Sequence, residues 1–152
     1  MYPAGNVDWR ARRAPERRHV RPTTLDARIL RFVTAVHASI YTTMLILSGG
    51  LALWALFFMI TGRPVDGAYR ATFVLGIGVA VLQGVLGLYM VFVDGLRPGQ
   101  TFHYLYGISL IVFTGFGYAL ATRTSSANRE ALVLGISAAA AFGLILRASA
   151  TA

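Results

Sequence analysis

The sequence predicts an all-α integral membrane protein, with four transmembrane helices in an up-down bundle. Three observations lead there. The chain is 56% hydrophobic and only 13% charged, about half the charged fraction of soluble domains. Its apolar residues collect in four runs, each close to the length needed to cross a hydrocarbon core of about 30 Å. The breaks between the runs are short and rich in Gly, Pro or Arg. Short breaks force consecutive spans to lie antiparallel.

Residues 1–22 form a basic arm. Eight Arg precede the first long apolar run (Arg10, Arg12, Arg13, Arg17, Arg18, Arg21, Arg28 and Arg31), and Pro3, Pro15 and Pro22 keep the arm from forming a helix. Such a cluster beside a membrane span is retained in the cytoplasm and attracted to anionic headgroups. That reading is preferred to nucleic-acid binding, so no nucleic-acid partner is expected. A signal peptide is not expected either. The apolar run that follows is too long for a signal core and ends without a small-residue cleavage pattern.

Residues 23–152 are then the transmembrane domain. The first span is expected at about 32–60. As a helix it would be about 43 Å long, so it should tilt or protrude. Thr23 and Asp26 resemble a capping pair that would start this helix in the interface. Gly62, Arg63 and Pro64 end it. The second span is expected at about 71–93, followed by a tight connection through Asp94-Gly95 and Pro98-Gly99. The third is expected at about 102–121 and the fourth at about 131–148. No strand pattern, linker or internal repeat suggests a second domain.

Arginine distribution orients the bundle. All 14 basic residues are Arg. An inside amino terminus places the arm, Arg97 and Arg147 inside, leaving Arg63, Arg70, Arg123 and Arg129 outside. The expectation is a multi-pass protein of the cell inner membrane with both termini cytoplasmic.

Two histidines do not belong in lipid. His37 lies in the first span and His103 opens the third, in helices expected to run parallel. Their similar distances from the inner end imply similar depth. Ionisable groups within spans are rare and usually functional. A b-type haem held between helices needs an imidazole on each side of the iron, a slot for its flat macrocycle and a polar or cationic partner for its propionates. His37 and His103 supply the imidazoles. Gly107, one turn from His103 on the same face, supplies the slot. Arg147, at the inner end of the fourth span, supplies the cation, with Arg97 in the same leaflet. The expected site is therefore His37, His103, Gly107 and Arg147, with haem b as cofactor and the two histidines as metal ligands. The competing explanations are an interfacial, hydrated His103, a His37 bonded to a neighbouring carbonyl, and an Arg147 that snorkels to the headgroups. Small residues recur every four positions at Gly76, Ala80 and Gly84 and at Gly135, Ala139 and Gly143, a spacing that lets membrane helices approach closely.

The stretch Leu82-Gln83-Gly84-Val85-Leu86-Gly87, then Val91 to Pro98, then His103 resembles one four-helix half of the heme A synthase family. The resemblance covers about residues 30 to 120 and implies a haem site with His37 and His103 as paired ligands. That family's first ligand sits in Glu-x-x-His-Arg. Here Thr34 stands at the Glu position and Ala38 at the Arg position, so the family's methyl-oxidising chemistry is not implied. The family's haem site in that half lies toward the outer face, whereas the arginine count places these histidines inside.

Other chemistries lack their residues. There is no Cys, which excludes disulfides, iron–sulfur clusters and covalently attached haem. No carboxylate lies within an expected span to relay ions or protons. A quinone headgroup could rest beside His103, Tyr104 and Tyr106, although tyrosines at such depth more often anchor the interface. The functional expectation is a small electron-transfer subunit binding haem b through paired His, rather than a stand-alone enzyme. The alternative is a cofactor-free accessory subunit of a respiratory or photosynthetic membrane complex. Either role implies other membrane subunits as partners.

Overall fold

In lipid, backbone N–H and C=O groups find no water, so an apolar run must satisfy them within itself by becoming a helix. The computed structural model describes residues 24–92 and 99–151. They form four helices, α1 (Thr24–Thr61), α2 (Gly67–Phe92), α3 (Phe102–Ala121) and α4 (Ala127–Ser149). All four are long and apolar enough to span a membrane. The protein is a four-helix membrane bundle, as its sequence predicts. The arm at 1–22, Thr23 of the capping pair, the Asp94-Gly95 and Pro98 part of the second connection, and Arg97 lie outside the described residues.

Three helices begin earlier than hydropathy alone suggests, each for a local reason. α1 starts at Thr24 rather than 32, in keeping with the expected interfacial start. Its 38 residues correspond to about 57 Å, far more than a hydrocarbon core. It ends where Gly62 takes a left-handed φ of 63°, a conformation that costs glycine little. α2 starts at Gly67 rather than 71 because Asp66 Oδ1 accepts the Tyr69 amide at 2.7 Å, filling one of the orphan donors of the first turn. α4 starts at Ala127 rather than 131, bringing Glu130 into its first turn. The carboxylate is tolerated there because Arg70 donates to both of its oxygens, Nε to Oε1 at 2.6 Å and Nη2 to Oε2 at 2.8 Å.

The helices pack as a ring in chain order. α1 and α3 each contact α2 and α4, the α4 interfaces are the most extensive, and α1 faces α3 across the diagonal. Consecutive helices are antiparallel: His103 at the start of α3 meets Ala148 at the end of α4.

Packing is uneven along the bundle axis. The end holding the α1–α2 and α3–α4 connections is dense. Tyr69 is fully buried there and donates its hydroxyl to the Leu51 carbonyl at 3.1 Å. Trp54 and Phe58 meet its ring edge-on, with centroids 5.4 and 5.6 Å away. At mid-bundle, Ser48, Thr114 and Ser137 are buried. Each hydroxyl donates to a carbonyl of its own helix, so none is left unpaired in an apolar interior. α3 and α4 touch where a Cβ on Gly117 would collide with Ser137. The remaining interior space at this level is a cavity of about 30 Å³ lined by residues such as Met44, Ser48, Leu110 and Thr114.

Toward the other end the packing thins. Among the described residues none is buried before Met44 in α1, after Ala80 in α2, before Leu110 in α3 or after Ile145 in α4. That looser end holds both intramembrane histidines.

The two small-residue stripes fare differently. On α2, Cβ atoms added at Gly76 and Gly84 would stand 3.4 Å from Leu47 and Ile111, and Ala80 is buried, so this stripe packs as expected. On α4, a Cβ at Gly135 would come within 3.0 Å of Ala55, but one at Gly143 meets nothing. Ala139, Gly143 and Arg147 are exposed. A four-residue step advances a helix by about 40° beyond a full turn. Over three steps the stripe therefore winds off the interface and onto the outer surface.

Candidate functional site

α1 carries His37 and α3 carries His103, both half-buried, across the diagonal of the ring. Neither helix contacts the other through its backbone at this level, so the side chains span the gap. Their ring centroids are 6.5 Å apart with planes inclined at 46°. The two histidine side chains therefore approach one another between α1 and α3.

His103 is held from α4. Its Nδ1 lies 2.9 Å from the Ala148 carbonyl oxygen. A carbonyl can only accept, so Nδ1 carries the hydrogen and Nε2 is the nitrogen left facing away from Ala148. A carbonyl that fixes one nitrogen and frees the other is the usual arrangement behind an imidazole that binds a metal. α4 therefore contributes to the site through its backbone. Tyr104 stands edge-on to the His103 ring, with centroids 6.4 Å apart.

His37 is held from α2. Gln83 Nε2 donates to the His37 carbonyl oxygen at 3.0 Å. A Cβ on Gly87, one turn further along α2, would stand 3.5 Å from His37 Cε1, in ordinary van der Waals contact. Gln83 and Gly87 thus present one face of α2 to the histidine. Two side-chain atoms here, His37 Nδ1 and Gln83 Oε1, are buried without a hydrogen-bond partner among the described residues. Leaving such an atom unpaired costs about 1–3 kcal/mol. Two of them in one place mark a polar site within the membrane domain.

Gly107 is half-buried, and a Cβ there would meet nothing within 4 Å. Open space thus adjoins His103 one turn into the bundle. Arg147 is exposed on the outer flank of α4, where it lines a surface groove with Gly143 and Phe113. The sequence shows Gln83 as part of the stretch that resembles the heme A synthase family but gives no link from it to His37. The four-residue spacing of Gln83 and Gly87 was the available signal. The Ala148 carbonyl left none, because a backbone acceptor has no side-chain signature.

Among the described residues no group of three or more His, Cys, Asp and Glu comes together. A two-imidazole donor set cannot complete a tetrahedral or octahedral ion by itself. The two rings, 6.5 Å apart, are the residues that would hold a metal-bearing group at this level.

Comparison of the chain with protein-family models, with curated proteins and with solved structures gives no match.

Proposed function

We propose that this protein is a small membrane subunit that binds haem b between His37 and His103 and takes part in electron transfer. The observation that carries the reading is the 6.5 Å separation of the two rings across the bundle diagonal. The Nδ1–H of His103 anchored on Ala148, the unpaired polar atoms of His37 and Gln83 and the thinner packing at this end support it. So does the resemblance of the Gln83–His103 stretch to one half of the heme A synthase family.

When bound, haem supplies a one-electron couple. The chain's own residues do the rest. His103 presents Nε2 because α4 holds Nδ1. Gln83 fixes the backbone of α1 at His37 and so the depth of that ring. The surrounding apolar helices exclude water and bulk ions. His37 and His103 would both hold the group, and Thr34 offers no carboxylate where the family has one. Transfer of electrons rather than oxidation of a substrate follows. The arginine bias places the histidine end, and both termini, on the cytoplasmic side of the cell inner membrane.

The test is an absorption spectrum of the purified full chain, expressed with an ample haem supply, in oxidised and reduced forms. A reduced-form α-band that disappears in both His37→Ala and His103→Ala supports the reading. A folded, monodisperse chain that takes up no haem overturns it and leaves a cofactor-free accessory subunit.

A further inference from the structure

Arg147, expected from the sequence to pair with a haem propionate, lies on the outer flank of α4. It stands in the last turn of α4 at one end of a groove of about 570 Å³ on the outer face of the bundle. The groove is lined by Phe113 of α3 and by Ala140, Gly143, Leu144, Leu146 and Arg147 of α4. Its floor is low because Gly143 has no side chain, and a Cβ there would touch nothing. From Ala140 to Arg147 the groove runs about 10 Å along the helix, from hydrocarbon depth to the helix end. Arg147 is the charged residue among the described residues that line it. The salt bridge formed among the described residues joins Arg70 to Glu130, so Arg147 has no carboxylate partner among them.

We propose that this groove binds one anionic phospholipid, with an acyl chain lying over Gly143 and Ala140 and the phosphate held by Arg147. The chemistry matches at both ends. An apolar trough that opens toward lipid takes a chain already at that depth. A guanidinium forms paired hydrogen bonds to phosphate oxygens. A headgroup without its own ammonium is preferred, because a zwitterionic lipid carries a cation that Arg147 repels. A free phosphate would gain nothing from the apolar lining.

Native mass spectrometry of the delipidated full chain tests the site, using phosphatidylglycerol and phosphatidylcholine with identical chains. The native chain should bind one phosphatidylglycerol at least about fivefold more tightly than phosphatidylcholine, the preference expected of one arginine at the membrane surface. Arg147→Gln should lower the phosphatidylglycerol preference about fivefold, the arm's own attraction to anionic headgroups being retained. Arg129→Gln makes the same charge change at the other end of α4 and should keep the full preference. Gly143→Leu fills the groove without meeting a neighbour and should weaken both lipids. Equal affinities in the native chain would overturn the proposal, as would an equal loss in the Arg129 and Arg147 variants, or unchanged binding after Gly143→Leu. The measurement needs no haem, so its failure is separable from failure of the electron-transfer reading.

Discussion

Gly117→Ala should weaken the bundle more than any other single methyl added to α3. The built Cβ lies 2.7 Å from the Ser137 Cβ and closer still to its hydroxyl. Rotating Ser137 moves the hydroxyl but not the Cβ. Carbon atoms at rest lie about 3.5–4.0 Å apart, so α3 and α4 must separate by roughly 1 Å at this point. Overpacking of this kind costs about 1–3 kcal/mol, and tight packing is the main force holding membrane helices together. Reversible unfolding in bicelles measures it. The double variant Gly117→Ala with Ser137→Gly removes the clashing atoms and should recover at least 1 kcal/mol of the loss, roughly the coupling expected of directly touching residues. Ser137→Gly alone should cost roughly 0.5 kcal/mol through helix propensity. If Gly117→Ala were neutral, or if the two changes simply added, the α3–α4 approach described here would be wrong.

The remaining predictions concern the two ends of the bundle and the arm. Arg70→Ala should destabilise the fold more than Glu130→Gln, because it strands a carboxylate whose side chain is 11% exposed, whereas the 41% exposed Arg70 side chain can turn to water. The first should cost about 3 kcal/mol and the second about 1 kcal/mol in the same unfolding assay. Gln83→Leu should leave the fold intact while loosening the His37 segment, lowering haem affinity about tenfold in an apoprotein titration, the lower bound for loss of a supporting hydrogen bond. Unchanged affinity would remove Gln83 from the site. Deleting residues 1–22 should preserve helical content by circular dichroism but reduce binding to phosphatidylglycerol-rich vesicles. Equal vesicle binding would show that the arm does not act on anionic headgroups.

The histidine pair was legible because it rests on few assumptions. Four spans with short connections make α1 and α3 parallel, with His37 and His103 both toward the inner end of their expected spans. The groups around them were not legible. Gln83 reaches His37 across 46 positions, and the Ala148 carbonyl reaches His103 across 45. Neither interaction leaves a periodic trace.

The sequence alone determined that the chain is a four-helix membrane bundle, since composition, span length and short connections are local properties and lipid admits only self-satisfied helices. It could not determine which face of each helix turns inward. In a soluble bundle polar residues mark the outside, but here both faces are apolar and hydropathy gives no direction. The tertiary structure decided this. It packed the Gly76–Ala80–Gly84 stripe against Leu47 and Ile111, turned Gly143 and Arg147 to the outer surface, joined Arg70 to Glu130 and closed Gly117 on Ser137. It also left the packing thin around the histidines, because shape complementarity between helices depends on residues far apart in the chain.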